Sequence, residues 1–210
     1  MPPGGEPSSL FRKIPAFFWA ATANFGAPVL LAWALAGILH HYIYRPPAPV
    51  QALQSTGYGP ITLRILPPGP HAGPAEPLVA CGVPGNATLV YIRILDADKA
   101  VVGVDFWGVG AYDGDAFPLP AKGSPIEVTC FLPALFPNEG DRYWGSLSHG
   151  VQRQRRSEYL VKVNGIDRLK GRIEYDQPPH PPVYIGENPV GSSLATEHFT
   201  GKVIEISQEN

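Results

Sequence analysis

Residues Ala87–Leu95 read ATLVYIRIL, a run of β-branched, aromatic and aliphatic side chains of the kind that packs on a pleated surface. Leu95-Asp96-Ala97-Asp98-Lys99 follows with turn chemistry, because Asp bonds back to nearby backbone and tolerates positive φ. Val101–Phe106 then resumes the apolar run, so the whole reads as two strands joined by a hairpin. The same grammar repeats outward. Ile61, Leu63 and Ile65 alternate with Thr62 and Arg64, the period of a half-buried strand. Ile126–Leu132, Tyr159–Val163, Arg172–Tyr175, Val183–Ile185 and Lys202–Ile206 are further short runs bounded by Gly, Pro, Asn or Asp. Val163-Asn164-Gly165-Ile166 is a second hairpin turn, and the Pro/Gly-rich stretch from Pro67 to Pro77 reads as a surface loop. The 25 prolines and 23 glycines are spread between these runs as punctuation. The pattern predicts an all-β antiparallel sandwich over residues 61–210.

The N-terminal quarter is different in kind. From Ile14 to Leu39 there are 26 residues without a charge, which as a helix would run about 39 Å against a hydrocarbon core of about 30 Å. Phe17, Phe18 and Trp19 flank one end and Tyr42 and Tyr44 the other, where aromatic rings favour the membrane interface. The expected organisation is a cytoplasmic tail over 1–13, a transmembrane anchor over 14–44, a Pro-rich linker over 45–60 and the sandwich. Pro28 leaves two geometries open, one kinked span or an interfacial helix followed by a span that starts near Pro28. A cleaved signal peptide ending at Ala34-Leu35-Ala36 is the rival, and the length of the run favours a retained anchor. Arg12 and Lys13 precede the run and Arg45 follows it, so the positive-inside bias puts the N-terminus in the cytoplasm and the β domain in the periplasm or outside the cell. Asn24 supplies a polar contact within the run, and Ala32 with Ala36 forms a small-xxx-small pair at which another helix can approach. His40 and His41 close the run, where a solvated histidine is far commoner than a haem or chlorophyll ligand.

Composition narrows the function classes. A net charge of −2 with 16% charged residues provides no basic field for nucleic acid. Cys81 and Cys130 are the only cysteines, too few for a metal site, and stand either as two buried thiols or as one disulfide. Ser146–Arg156, SLSHGVQRQRR, gathers Arg153, Arg155 and Arg156, which suits either a solvated loop or contact with an anionic surface such as headgroups or an acidic subunit. Phe106, Trp107, Tyr112, Tyr143 and Trp144 are suited to filling a core or stacking on sugar rings. Because Phe106 and Trp107 are adjacent, a regular strand would turn one inward and the other outward.

A resemblance rests on the second half of the domain. Tyr159-Leu160-Val161-Lys162-Val163-Asn164-Gly165, then Val183-Tyr184-Ile185-Gly186-Glu187-Asn188, then His198-Phe199-Thr200-Gly201-Lys202-Val203-Ile204-Glu205-Ile206 resemble the closing strands of a laminin G-like or concanavalin A-like jelly roll, and Gly85–Trp107 resembles that family's paired inner strands. The resemblance implies a jelly-roll fold. It also directs attention to the E-x-D-x-x-E run of related glycan hydrolases, whose carboxylates must share one face. Here Glu174 and Asp176 occupy the first two positions and Pro179 stands at the third, so the set is broken. Calcium is another habit of the family, for which Asp96 with Asp98 and Asp113 with Asp115 offer oxygens that also fit ordinary turns.

The sequence therefore predicts a non-enzymatic, membrane-anchored interaction or structural protein without a cofactor. Its leading form is an accessory subunit of a respiratory, photosynthetic or transport-type complex, in contact with lipid and with other membrane-protein subunits through both anchor and β domain. The alternative is a membrane-tethered, lectin-like carbohydrate-binding module, marked by an exposed aromatic platform beside amide or carboxylate groups on one sheet face. Trp107, Tyr143, Trp144, Arg153, Arg155 and Arg156 are the candidate surface contacts.

Overall fold

The computed structural model describes residues 58–173, 182–191 and 194–208. Asn24, Pro28, Ala32, Ala36 and the rest of the expected anchor lie outside them, as do Glu174, Asp176 and Pro179. All described residues belong to one compact unit, Val50–Asn210. Among them no helix is long and apolar enough to cross a membrane.

The strands are β1 (Ile61–Leu66), β2 (Glu76–Val83), β3 (Asn86–Ile94), β4 (Lys99–Phe106), β5 (Gly110–Asp113), β6 (Phe117–Pro118), β7 (Ile126–Phe131), β8 (Glu158–Val163), β9 (Ile166–Arg172), β10 (Val183–Ile185) and β11 (Lys202–Gln208). Between β7 and β8 lie two 3-10 turns, Pro133–Leu135 and Arg142–Ser146, and one helix, α1 (His149–Ser157). One sheet has the order β11-β1-β7-β8-β9; the other has β10-β2-β3-β4-β5, with β6 on β4. Neighbouring strands are antiparallel throughout. The chain's first strand pairs with its last, β1 with β11, and β2 pairs with β10, the nested pairing of a rolled-up hairpin. The product is an antiparallel β-sandwich of jelly-roll type.

Alternation along each strand supplies the core. Ile61, Leu63 and Ile65 of β1, Ile126 and Val128 of β7, and Val161 and Val163 of β8 face Val90, Ile92 and Ile94 of β3 and Val102, Val104 and Phe106 of β4 in one cluster. Burying each such side chain contributes about 1.5–3 kcal/mol relative to leaving it in water. Phe106 meets Tyr159 across the two sheets with ring centroids 5.0 Å apart.

Three expectations are corrected. Of the strand expected at Arg172–Tyr175, residues 174 and 175 lie outside the described residues, and the observed strand begins earlier, Ile166–Arg172, because the two-residue turn at Asn164 (φ 49) and Gly165 (φ 76) starts the return strand at Ile166, opposite Val163. Its sequence IDRLKGR carries the charges of an edge strand, which hides the period. The loop expected through Pro77 ends at Ala75, and at Glu76 β2 begins its almost wholly buried course; a strand covered on both faces does not alternate. Ser146–Arg156, expected as a loop, contains α1, capped by the Ser148 hydroxyl accepting from the Val151 N–H and closed by Arg155 and Arg156 in the last turn, where cations favour the helix dipole.

Of the two states left open for the cysteines, the structure has two free, buried thiols. Cys81 lies on β2 and Cys130 on β7, both within the core cluster that the two sheets share. Burial pushes the Cys130 thiol up to about 12 and raises Cys81 as well, the latter with a further contribution from Cys130. Both remain protonated and are therefore poor nucleophiles. A thiol-reactive chromophore such as DTNB should not titrate the native full-length chain at pH 8 and should find both thiols after denaturation; fast reaction before unfolding would show the core to be open.

Candidate functional site

The outer face of the second sheet holds the site. In β3 the inward Val90, Ile92 and Ile94 leave Leu89, Tyr91 and Arg93 on the opposite face, and in β4 Val101, Gly103 and Asp105 share it. Register pairs Leu89 with Asp105 and Tyr91 with Gly103. The glycine is required there: a Cβ on residue 103 would stand 2.2 Å from the Tyr91 Cζ, so the phenol ring lies where that side chain would be. From this position Tyr91 donates to Asp113 on β5 at 2.8 Å, and Arg93 pairs with the other carboxylate oxygen. Burial, then the bond to Asp113, raise the Tyr91 phenol above its ordinary value. Asp113 is thus held by its neighbours.

Residues that follow β10 fold back over part of this face. The Asn188 N–H bonds the Glu197 carbonyl and the Phe199 N–H bonds that of Gly186, each at 2.9 Å, while Ala195 packs on Ala75, Ala80, Leu89 and Tyr91. The Leu194 N–H reaches the Asp105 Oδ2 at 3.2 Å. Between this flap and the β4–β5 turn remains a groove of about 470 Å³, lined by Ala87, Leu89, Asp105, Trp107, Val109 and Val190 among others. Phe106 is buried and Trp107 half-buried, so the two neighbours do divide between core and surface, although Trp107 sits in the turn and not on the strand. The Trp107 N–H bonds the Ala87 carbonyl at 2.9 Å and ties the turn to β3. Among the described residues, Asp105 is the one ionisable side chain lining the groove. Chemically, the groove offers an indole for stacking and a carboxylate acceptor for hydroxyl or ammonium donors, and it disfavours anions.

The other expected contacts do not join this groove. Trp144 is 4% exposed, with its indole N–H donating to the Pro137 and Asn138 carbonyls at 3.1 and 2.8 Å, so it is a structural anchor and not a surface contact. Tyr143 stacks edge-on to Trp144 at 5.0 Å and takes a hydrogen bond from Arg155, whose guanidinium also lies 5.4 Å from the Phe136 ring centre. Arg156 lies 4.8 Å over Trp144 and donates to Glu139 at 2.7 Å. Arg155 and Arg156 therefore spend their charge on local aromatics and a carboxylate, a cation–π arrangement that holds α1 to the turn below it. Arg153 points to solvent. Among the described residues no group of three or more His, Cys, Asp and Glu is arranged to hold a metal. The Asp98 N–H bonds the Asp96 side chain at 3.1 Å, the turn chemistry of that sequence.

A second groove of about 400 Å³ lies on the outer face of the first sheet, with Phe131 and Leu160 as floor and Glu158, Asp167, Lys170 and Arg172 around it. Glu158 pairs with Arg172 at 2.8 Å, a bond that holds its carboxyl below the usual range, and Asp167 pairs with Lys162 at 3.3 Å. Asp105 and Val190 were missed by sequence reasoning. The readable signal for Asp105 was a lone acid inside an apolar strand, one residue before a buried Phe; Val190 arrives through the flap and had none.

No protein-family model matches the chain, and no curated protein matches it. Ten chains of known structure match. One is a tetrameric galectin from the ball sponge Cinachyrella sp., 14% identical, with a TM-score of 0.38 over 78% of this chain and 97% of that one.

Proposed function

We propose that the domain is a non-catalytic carbohydrate-binding module carried on a membrane span. The observation that supports it is the half-buried Trp107 beside the Asp105 carboxylate in a groove on one sheet face. Sugars offer an apolar C–H face for stacking and hydroxyl donors at its edge, and this pairing supplies a partner for each. With one carboxylate and no cation among the described residues that line it, the groove suits neutral or amino sugars over acidic ones. The uncharged run Ile14–Leu39 supplies the tether.

Titration of the full-length chain in detergent against a panel of neutral oligosaccharides tests this. Trp107→Ala should weaken binding by about 1–3 kcal/mol, the range for an aromatic stacking anchor, and Asp105→Asn should weaken it by less, because the amide still accepts a hydroxyl. Unaltered binding in both variants, with the fold intact by circular dichroism, would move the site elsewhere.

The accessory-subunit role is the second proposal, favoured by Asn24 and the Ala32/Ala36 pair within a run otherwise suited only to lipid. It is compatible with the first, because helix pairing and glycan contact use different parts of the chain.

A further inference from the structure

We propose that one end of the sandwich docks on an anionic lipid bilayer. The proposal rests on reading Ile14–Leu39 as a span, and it shares Trp107 and Val109 with the glycan groove, so it is tested with no sugar present. The end in question is the one where the chain enters. The Gly59 N–H bonds the Leu135 carbonyl at 3.0 Å, and Ile61 pairs with Cys130 and Gln208. The β2–β3 turn and the β4–β5 turn lie at this same end, joined by the Trp107–Ala87 bond and aligned with the first sheet by the Phe106–Tyr159 contact. Residues 82–88, GVPGNAT, and 106–112, FWGVGAY, contain no charge. At their tips Val83 is 41% and Val109 55% exposed, and Trp107 in the second turn is half-buried.

The first sheet's side of this end carries guanidinium groups. Arg142 and Arg153 are exposed, while Arg172 at the end of β9 is paired with Glu158 at 2.8 Å and Glu139 at this end with Arg156 at 2.7 Å. The opposite end presents carboxylates in the β3–β4 turn, Asp96 and Asp98. Apolar tips beside an indole and arginines match the headgroup region of an anionic leaflet, where aliphatic groups enter the acyl boundary, indole prefers the interface and guanidinium pairs with phosphate. A bilayer is the occupant chosen because of where the chain leads. At most about 65 Å of chain separates Leu39 from Tyr58, and the described residues start at this end. With that run as a span, the chain enters the domain at the end that carries Val83, Val109, Arg142 and Arg153.

The test uses the full-length chain reconstituted in vesicles, with a fluorescent label on a new cysteine. The native thiols are buried and do not compete. Val109→Cys labels the docking end and Asp98→Cys the opposite end. With phosphatidylcholine–phosphatidylglycerol vesicles containing brominated chains and no sugar present, the label at 109 should blue-shift and be quenched while that at 98 is not. Arg142→Gln and Arg153→Gln should each weaken this about fivefold in partitioning, the effect of about 1 kcal/mol per arginine near an anionic surface. Flotation of the chain with the vesicles reads the span separately. A chain that fails to float overturns the span and the docking with it. A chain that floats but shows no quenching at 109, or equal quenching at both labels, overturns the docking alone. Equal quenching at 109 in pure phosphatidylcholine overturns the anionic preference.

Discussion

Replacing Phe106 by alanine is expected to destabilise the domain by about 3–5 kcal/mol, the usual cost of removing a buried phenyl ring. Phe106 is 1% exposed and belongs to the single cluster that joins both sheets. Its ring contacts Tyr159 on the facing sheet at 5.0 Å and Tyr112 on the neighbouring strand at 6.4 Å, so the cavity would open between layers and not at an edge that can collapse. Thermal unfolding of the full-length chain in detergent should move down by on the order of 10 °C. Phe106→Leu should recover most of that loss, since it refills much of the volume. The groove would feel the change too, because Phe106 precedes Trp107 and the Val109 N–H bonds the Phe106 carbonyl at 2.9 Å. A melting temperature unchanged by Phe106→Ala would mean that the two sheets do not share a core.

Trp144→Ala is expected to cost a similar amount, about 3–5 kcal/mol, through a different mechanism. The indole is packed against Phe136 and Tyr143, covered by Arg156, and bonded to two carbonyls of the preceding turn. Its loss would remove packing, leave the Pro137 and Asn138 carbonyls short of a donor and free the Arg156 guanidinium. Trp144→Phe separates these contributions: it keeps an aromatic surface and loses the N–H, for about 0.5–1.5 kcal/mol. Because Gln152 of α1 also donates to the Trp144 carbonyl at 2.9 Å, hydrogen exchange should accelerate over residues 142–157 in Trp144→Ala well before the sheets are affected. Exchange that rises uniformly across the domain would show that this connection is not a separate stability unit.

These two positions show what the amino-acid sequence determined and what it did not. Strand identity was legible wherever one face meets the core and the other meets water, as in β1 and β8, because burial then imposes a period of two on the residues themselves. Hairpin turns were legible from Asn164-Gly165 and Asp96-Ala97-Asp98, since positive φ and Asx bonding are properties of single side chains. An all-β sandwich followed from those local facts. The tertiary structure alone decided which strands neighbour which, that β2 is buried on both faces, and that Trp144 turns inward while Trp107 borders a groove. Each depends on partners distant in the chain. Asp105 becomes part of a site only when Leu194, 89 residues on, folds back over β4, and Arg155 and Arg156 cease to be free cations only when Tyr143 and Trp144 come under them. Local chemistry sets an element's type through short-range sterics and burial; a site is a juxtaposition, set by long-range packing that no window of sequence contains.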